Sequence, residues 1–461
     1  MIFVKGPKPC IRSRVVIGLC LLFVLSGPLR PNRDQIASRE KEFTLDNGLR
    51  VVLYEKRNLP LLNIVAAVDA GSKDESEATS GLAHVLEHYI LFRGTESRSG
   101  SEVARQIRLH GAYFNAQTGQ DMAVFELSLP TEHADFGLAN QKEILFDLKI
   151  EAQALEAEKE VVLEELSQVS DDPLRYAFSL LYQNLFRGHP YGKPVYGTAE
   201  AIRSLTADQV QSFYRAHFVP AATTLAVVGD FALAEMEAKV RTCFGPVPKA
   251  EYVPTPIDPP APLPRTVEIE QALDVQEAYL VIGTVGPDYN SPDQYAADLL
   301  TEILGRGISP MLYRPLKGNR DLINTASMSN ITLKRSGALA VTLTLDPRRV
   351  AAAKSQAIQF LRQVRSENFA RSDVFGEAQL YAYDFLESAR NQILFKLQQS
   401  RESGLNLATS LAMHLLFRDK PSGPDYFQGI RSVTSSDLRK AAAKYLSRTE
   451  FVVISIVPKK K

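Results

Sequence analysis

LTADQVQSFYRAHFVPAATTLAVVGDF, Leu205 to Phe231, and VTSSDLRKAAAKYLSRTEFVVISIVPK, Val433 to Lys459, run in register without a gap. Each opens on a Thr/Ser-rich helix start, continues through a helix and closes on a β-branched strand. Identity is slight, so the shared pattern carries the comparison. Tandem duplication of one α/β unit is the simplest reading, and two independent helix–strand endings are the alternative.

Between these endings lies GPVPKAEYVPTPIDPPAPLP, residues 245–264, proline-dense and without a periodic apolar pattern. It reads as an extended, semi-rigid linker. The expected division is a domain over 40–245, a linker over 246–265 and a homologous domain over 266–461, each half of common domain size. Within the first half, FTLDNGLRVVLYEK signals a hairpin about Asn47-Gly48, NIVAAVDAGS a buried strand, and GAYFNAQTGQDMAVFELSLP a strand pair joined near Thr118-Gly119. Residues 79–94, 99–110 and roughly 134–186 have helical spacing. Strands and helices mix without strict alternation, which favours an α+β fold over a doubly wound sheet.

The chain of 461 residues is 45% hydrophobic with zero formal net charge, enough to bury large cores in more than one domain. Balanced charge offers no footprint for nucleic acid. Residues 1–35 differ: Lys5, Lys8, Arg12 and Arg14 precede the apolar run VVIGLCLLFVL. This predicts a signal peptide or an N-terminal anchor, hence export, with a bacterial periplasm as the expected address. The run is shorter than the about 20 residues of a comfortable spanning helix. Of three cysteines, Cys10 and Cys20 lie in that segment and only Cys243 remains beyond it, where it reads as a small core residue.

GLAHVLEHYILFRGT, residues 81–95, carries two of the seven histidines. Thr79 or Ser80 is the expected helix cap, and Leu82, Val85, Leu86, Tyr89 and Ile90 give the helix an apolar surface. His84 and His88, at i and i+4, then leave one face at the spacing two imidazoles need to hold one zinc ion. Glu87 emerges beside them, in reach of a water at the metal. A third ligand is needed, and EAEKEVVLEELSQV, residues 156–169, offers Glu156, Glu158, Glu160, Glu164 and Glu165. Glu158 and Glu165 share a helix face, although periodicity alone reads these acids as a solvated surface.

The ordered motifs VDAGSKDE, SGLAHVLEHYILFRGT, GAYFNAQTGQD, EKEVVLEEL and HPYGKPVYGT resemble the pitrilysin (insulinase-like) family of zinc metallopeptidases, the inverzincins with a His-x-x-Glu-His signature. The resemblance is strong in the first half and weak in the second. It implies two homologous domains, each a mostly antiparallel sheet flanked by helices. It implies one zinc ion per chain held by His84, His88 and Glu165, with Glu87 as general base and Glu158 binding a ligand histidine from behind. Glu164 is the competitor one residue off register. Asn115 and Ala116 match positions where an exposed edge strand pairs with extended substrate. HPYGKPVYGT reads as a structural loop, His189 being a hydrogen-bonded loop histidine.

The second half departs from the family. An Arg/Tyr pair that steadies the substrate carbonyl is expected in LYRPLKGNRDLINTASM, yet Lys317 stands at the arginine position and Asn324 at that of the tyrosine. Arg314 or Tyr313 would require a register shift. The expected assembly is therefore a heterodimer in which a homologous subunit supplies the pair, with a homodimer as the alternative. Substrates would be peptides or unfolded segments. Two other readings stand beside it: a non-catalytic scaffold subunit of the same fold, and an organellar peptidase that removes targeting sequences.

Overall fold

A computed structural model describes residues 39–306, 310–318, 321–364, 385–419, 426–447 and 450–459. The apolar N-terminal run lies outside them. Among the described residues no helix is long and apolar enough to cross a membrane.

Among the described residues, eleven strands form two sheets. The first half supplies β1 (Glu40–Thr44), β2 (Arg50–Glu55), β3 (Leu61–Val68), β4 (Tyr113–Thr118), β5 (Ala123–Pro130) and β6 (Thr223–Gly229), in the order β1-β2-β6-β3-β5-β4. The second supplies β7 (Val267–Leu273), β8 (Ala278–Gly286), β9 (Thr325–Thr332), β10 (Gly337–Leu345) and β11 (Val452–Pro458), in the order β7-β11-β8-β10-β9. Apart from the extra edge strand β1, the two orders coincide strand for strand. In each sheet one pair, β2 with β6 and β7 with β11, is parallel and every other pair antiparallel.

The helices that matter for the site are α1 (Leu82–Phe92), α2 (Ala152–Asp171), α3 (Pro173–Leu185), α4 (Ala207–His217), α5 (Asp293–Gly305), α6 (Phe385–Ser400), α7 (Gly404–Phe417) and α8 (Ser435–Tyr445). The two chain stretches that announced the duplication become α4–β6 and α8–β11. Both helices start on the same device: Thr206 pairs with Gln209, and Thr434 with Asp437, in reciprocal capping boxes. The span read as one helical region over 134–186 is broken into three helices. The last break falls at Asp172, whose carboxylate caps α3 ahead of Pro173.

Period-2 alternation along the strands sends side chains to two different cores. On β3, Leu62, Ile64, Ala66 and Val68 face the first half's own helices, whereas Val65 and Ala67 join a core built mainly by the second half. That second face is covered by α7, which crosses over from the second half. Thr224 donates to the carbonyl of Ala412 at 2.8 Å, and Arg50 to that of Leu415 at 2.7 Å. The exchange is reciprocal: α3 of the first half packs on β8 and β11, with Ala177 and Leu181 against Val281, Val452, Ile454 and Ile456. Each sheet is thus roofed by a helix of the other half.

The proline-rich segment carries no helix or strand over 248–263. It is held against the first half, with Tyr252 Oη donating to the Asp69 carbonyl at 3.0 Å and His189 Nε2 to that of Asp258 at 2.8 Å. Cys243 is half-buried beside the first core rather than within it, and burial pushes its thiol up to about 11.

Candidate metal centre

Helix α1 begins where the chain turns through Gly81, whose φ of +94 places it in the left-handed region. Neither Thr79 nor Ser80 caps it. Glu75, brought round by the loop after β3, does so: its carboxylate accepts from the amides of Gly81 and Ala83, both at 2.8 Å. Burial raises this carboxyl to about 8, against the pull of those two amides. The cap lies immediately before His84 and fixes the first turn on which that histidine stands.

His84 and His88 leave the same face of α1, with ring centroids 4.7 Å apart. The neighbouring helix α2 brings Glu165 to meet them: its Oε2 stands 3.1 Å from His88 Nε2 and 3.7 Å from His84 Nε2. Among the described residues these three form the one group of His, Cys, Asp or Glu donors, all ligand atoms within 4.8 Å, that could hold a metal ion. Glu164 points to solvent. Glu158, fully buried one face behind, meets His88 Nδ1 at 3.2 Å and is itself paired with Arg93. That contact commits Nδ1 to carrying the proton and leaves Nε2 facing Glu165.

The donor set fits zinc. Tetrahedral bonds of about 2.0–2.2 Å put neighbouring ligand atoms about 3.3–3.6 Å apart, and the two contacts of Glu165 bracket that spacing. The protonation pattern without an ion agrees. Burial, then neighbouring His88, lowers His84 to about 4, so it is a neutral donor. Burial would also lower His88, but hydrogen bonds to Glu158 and Glu165 outweigh it and raise the group to about 9. A proton on His88 therefore supplies the positive charge that Glu165, held below the usual carboxylate range by His88, is placed to receive.

Glu87 is 6% exposed on the same helix turn. Burial raises its carboxyl to about 7, while neighbouring Thr118 on β4 and the charge of His88 pull it back in part. A carboxylate poised there suits proton transfer near neutrality. Tyr196, in the HPYGKPVYGT loop, closes the site from the side of His84, with ring centroids 5.0 Å apart at 83°. Burial raises its phenol. Neither Tyr196 nor Glu75 stood out from spacing. Both lie inside motifs noticed as wholes, and their roles come from loops that only the fold brings to α1.

The remaining expected residues fall as follows. Asn115 and Ala116 sit on β4, the end strand of the first sheet, opposite Glu126 and Phe125 of β5. His189 is a loop residue: its Nδ1 accepts from the Tyr191 amide at 3.1 Å. In the second half, Lys317 pairs with Asp321 at 2.7 Å and Asn324 donates to Glu277 at 2.7 Å.

Two family models match the chain: "Insulinase (Peptidase family M16)" over residues 50–199 and "Peptidase M16 inactive domain" over 204–375. An uncharacterized zinc protease of Mycobacterium leprae is 27% identical over 72% of this chain and 74% of its own length. One from Rickettsia bellii is 25% identical over 87% of this chain and 94% of its own. Among solved structures, a protease from Helicobacter pylori superposes with a TM-score of 0.82 at 22% identity, covering 91% of this chain and all of that one. An M16 inactive-domain structure from Pseudomonas fluorescens gives 0.80 at 20% identity, covering 91% of this chain and 98% of its own. At such identities the two structures speak for the fold alone.

Proposed function

Because the chain belongs to the insulinase-like M16 peptidase family, we propose that it is a zinc-dependent endopeptidase for peptides and unfolded segments. The observation that carries this reading is the convergence of His84, His88 and Glu165 with Glu87 on the adjoining helix turn. His84, His88 and Glu165 would hold one zinc ion, and Glu158 would fix the tautomer of His88. Bound zinc supplies Lewis acidity, lowering the pKa of a water toward about 7 and polarising the scissile carbonyl.

The chain's own groups do the rest. Glu87 takes the proton of the attacking water and returns it to the leaving amine. Strand β4, including Asn115 and Ala116, offers its outer edge to extended substrate, so main-chain hydrogen bonds hold the peptide with little sequence preference. This favours unfolded segments, because only they present a free backbone.

We further propose that the chain is the zinc-bearing subunit of a two-chain complex, exported to the periplasm. What supports the division of labour is the second half's lack of an Arg/Tyr pair at 317 and 324, where Lys317 and Asn324 are engaged with acidic neighbours. The test is zinc content and hydrolysis of an unstructured peptide, for the chain alone and mixed with its nearest encoded homologue. Full activity in a monomeric single chain overturns the complex. Glu87→Gln should keep zinc and lower kcat by at least about a hundredfold; a variant that still cleaves at the wild-type rate removes Glu87 from the mechanism.

A further inference from the structure

We propose that Tyr196 is a catalytic residue whose phenol donates a hydrogen bond to the scissile carbonyl oxygen as negative charge develops on it, an inference that rests on the zinc-peptidase reading above. Its ring lies edge-on to His84, 5.0 Å between centroids, beside the proposed ligand set. The side chain is half-buried, yet its hydroxyl makes no hydrogen bond to any described residue. The hydroxyl is not enclosed by protein either, so beside the reactive site it is open to water or a ligand. Arg175, Glu165, Glu87 and Asp172 are the charges that act on that phenol, so it shares the electrostatic environment of the groups that would handle metal and water.

The loop that carries Tyr196 is tied down at both ends. Tyr191 donates to Asp121 at 2.7 Å, Lys193 Nζ donates to the carbonyl of Lys73 at 3.2 Å and to that of Glu75, and Gly197 lies flat on Gly81. A donor fixed in advance on such a frame costs no reorganisation when charge appears. Arg175, at the start of α3, meets Asp172 only at 3.9 Å and adds positive potential on the same side. The first half therefore offers a phenol and a guanidinium beside the metal centre, where the second half has Lys317 and Asn324.

In the step itself, the water oxygen bonds to the carbonyl carbon and the C=O π pair moves onto oxygen. The water proton goes to Glu87, and the phenol of Tyr196 hydrogen-bonds the new oxyanion without giving up its proton. When the oxygen pair re-forms the carbonyl, the C–N bond breaks and Glu87 delivers its proton to the amine nitrogen.

Tyr196→Phe keeps the ring against His84 and removes only the hydroxyl. It should be compared with wild type as the full chain, with the companion subunit where cleavage requires one. Zinc content, kcat and KM on an unstructured peptide, and affinity for a phosphinic peptide that mimics the tetrahedral state would be read. Expected are equal zinc, kcat lowered about a hundredfold, little change in KM, and phosphinic affinity weakened by a similar factor. Wild-type kcat and phosphinic affinity in the variant overturn the proposal, and so does loss of zinc, which would make Tyr196 a packing residue of His84. A wild-type chain that takes up no zinc and cleaves nothing overturns the peptidase reading beneath it.

Discussion

His88 concentrates the electrostatics of the site in one imidazole. With Glu158 on one nitrogen and Glu165 on the other, it holds its proton to about pH 9 in the ion-free chain, while His84 stays neutral above about pH 4. A zinc ion must displace that proton, so binding and protonation compete. Raising the pH through the neutral range removes the competitor and strengthens binding; lowering it weakens binding by about tenfold per unit, the slope of one released proton. Above about pH 9 the dependence should level off. Chelator competition between pH 6 and 10 checks this, and an affinity flat from 7 to 9 would show that His88 carries no proton to lose. The two histidines and Glu87 were legible in the sequence because one helix turn fixes their relation. Glu165 was legible only through the family resemblance: a helix surface rich in acids gives no local sign of which one faces a partner helix.

Helix α1 shows how the site is held, and where spacing misleads. Its apolar face is plain in the sequence, but its cap is not. Local rules look for the cap at the residue before the first turn, whereas Glu75 reaches the Gly81 and Ala83 amides by a loop. The same end is pressed by Gly197, with φ of +73, where an added Cβ would stand 2.4 Å from the Ser80 carbonyl oxygen and 2.5 Å from Gly81 Cα. These are backbone atoms and cannot swing aside. Gly197→Ala should therefore strain its own turn and push the HPYGKPVYGT loop off α1, costing stability on the order of 1–3 kcal/mol. Zinc affinity should fall with it, because His84 stands on the displaced turn. Thermal melts with and without zinc would test this: a variant that melts and binds like wild type would show the loop to be no part of the support.

At the scale of the whole molecule, the duplication legible in LTADQVQ and VTSSDLR becomes two sheets of matching topology, but the exchange of α3 and α7 was not legible. An amphipathic helix declares that it has an apolar face, never which sheet will cover it. The consequence is thermodynamic. Leu181 of α3, fully buried, supports the sheet of the second half, while α7 completes the core beneath the sheet that carries the metal site. Neither half can bury its own strands alone, so the chain should unfold in one transition despite its two sheets. Leu181→Ala should cost about 2–5 kcal/mol and lower the unfolding of both halves together. Calorimetry supplies the unfolding profile, and zinc release on heating reports the first half separately. If the second half melted early while zinc stayed bound, the halves would be independent and the exchanged helices mere decoration. If release and unfolding shift as one, a substitution remote from the metal site weakens it through the roof that each half lends the other.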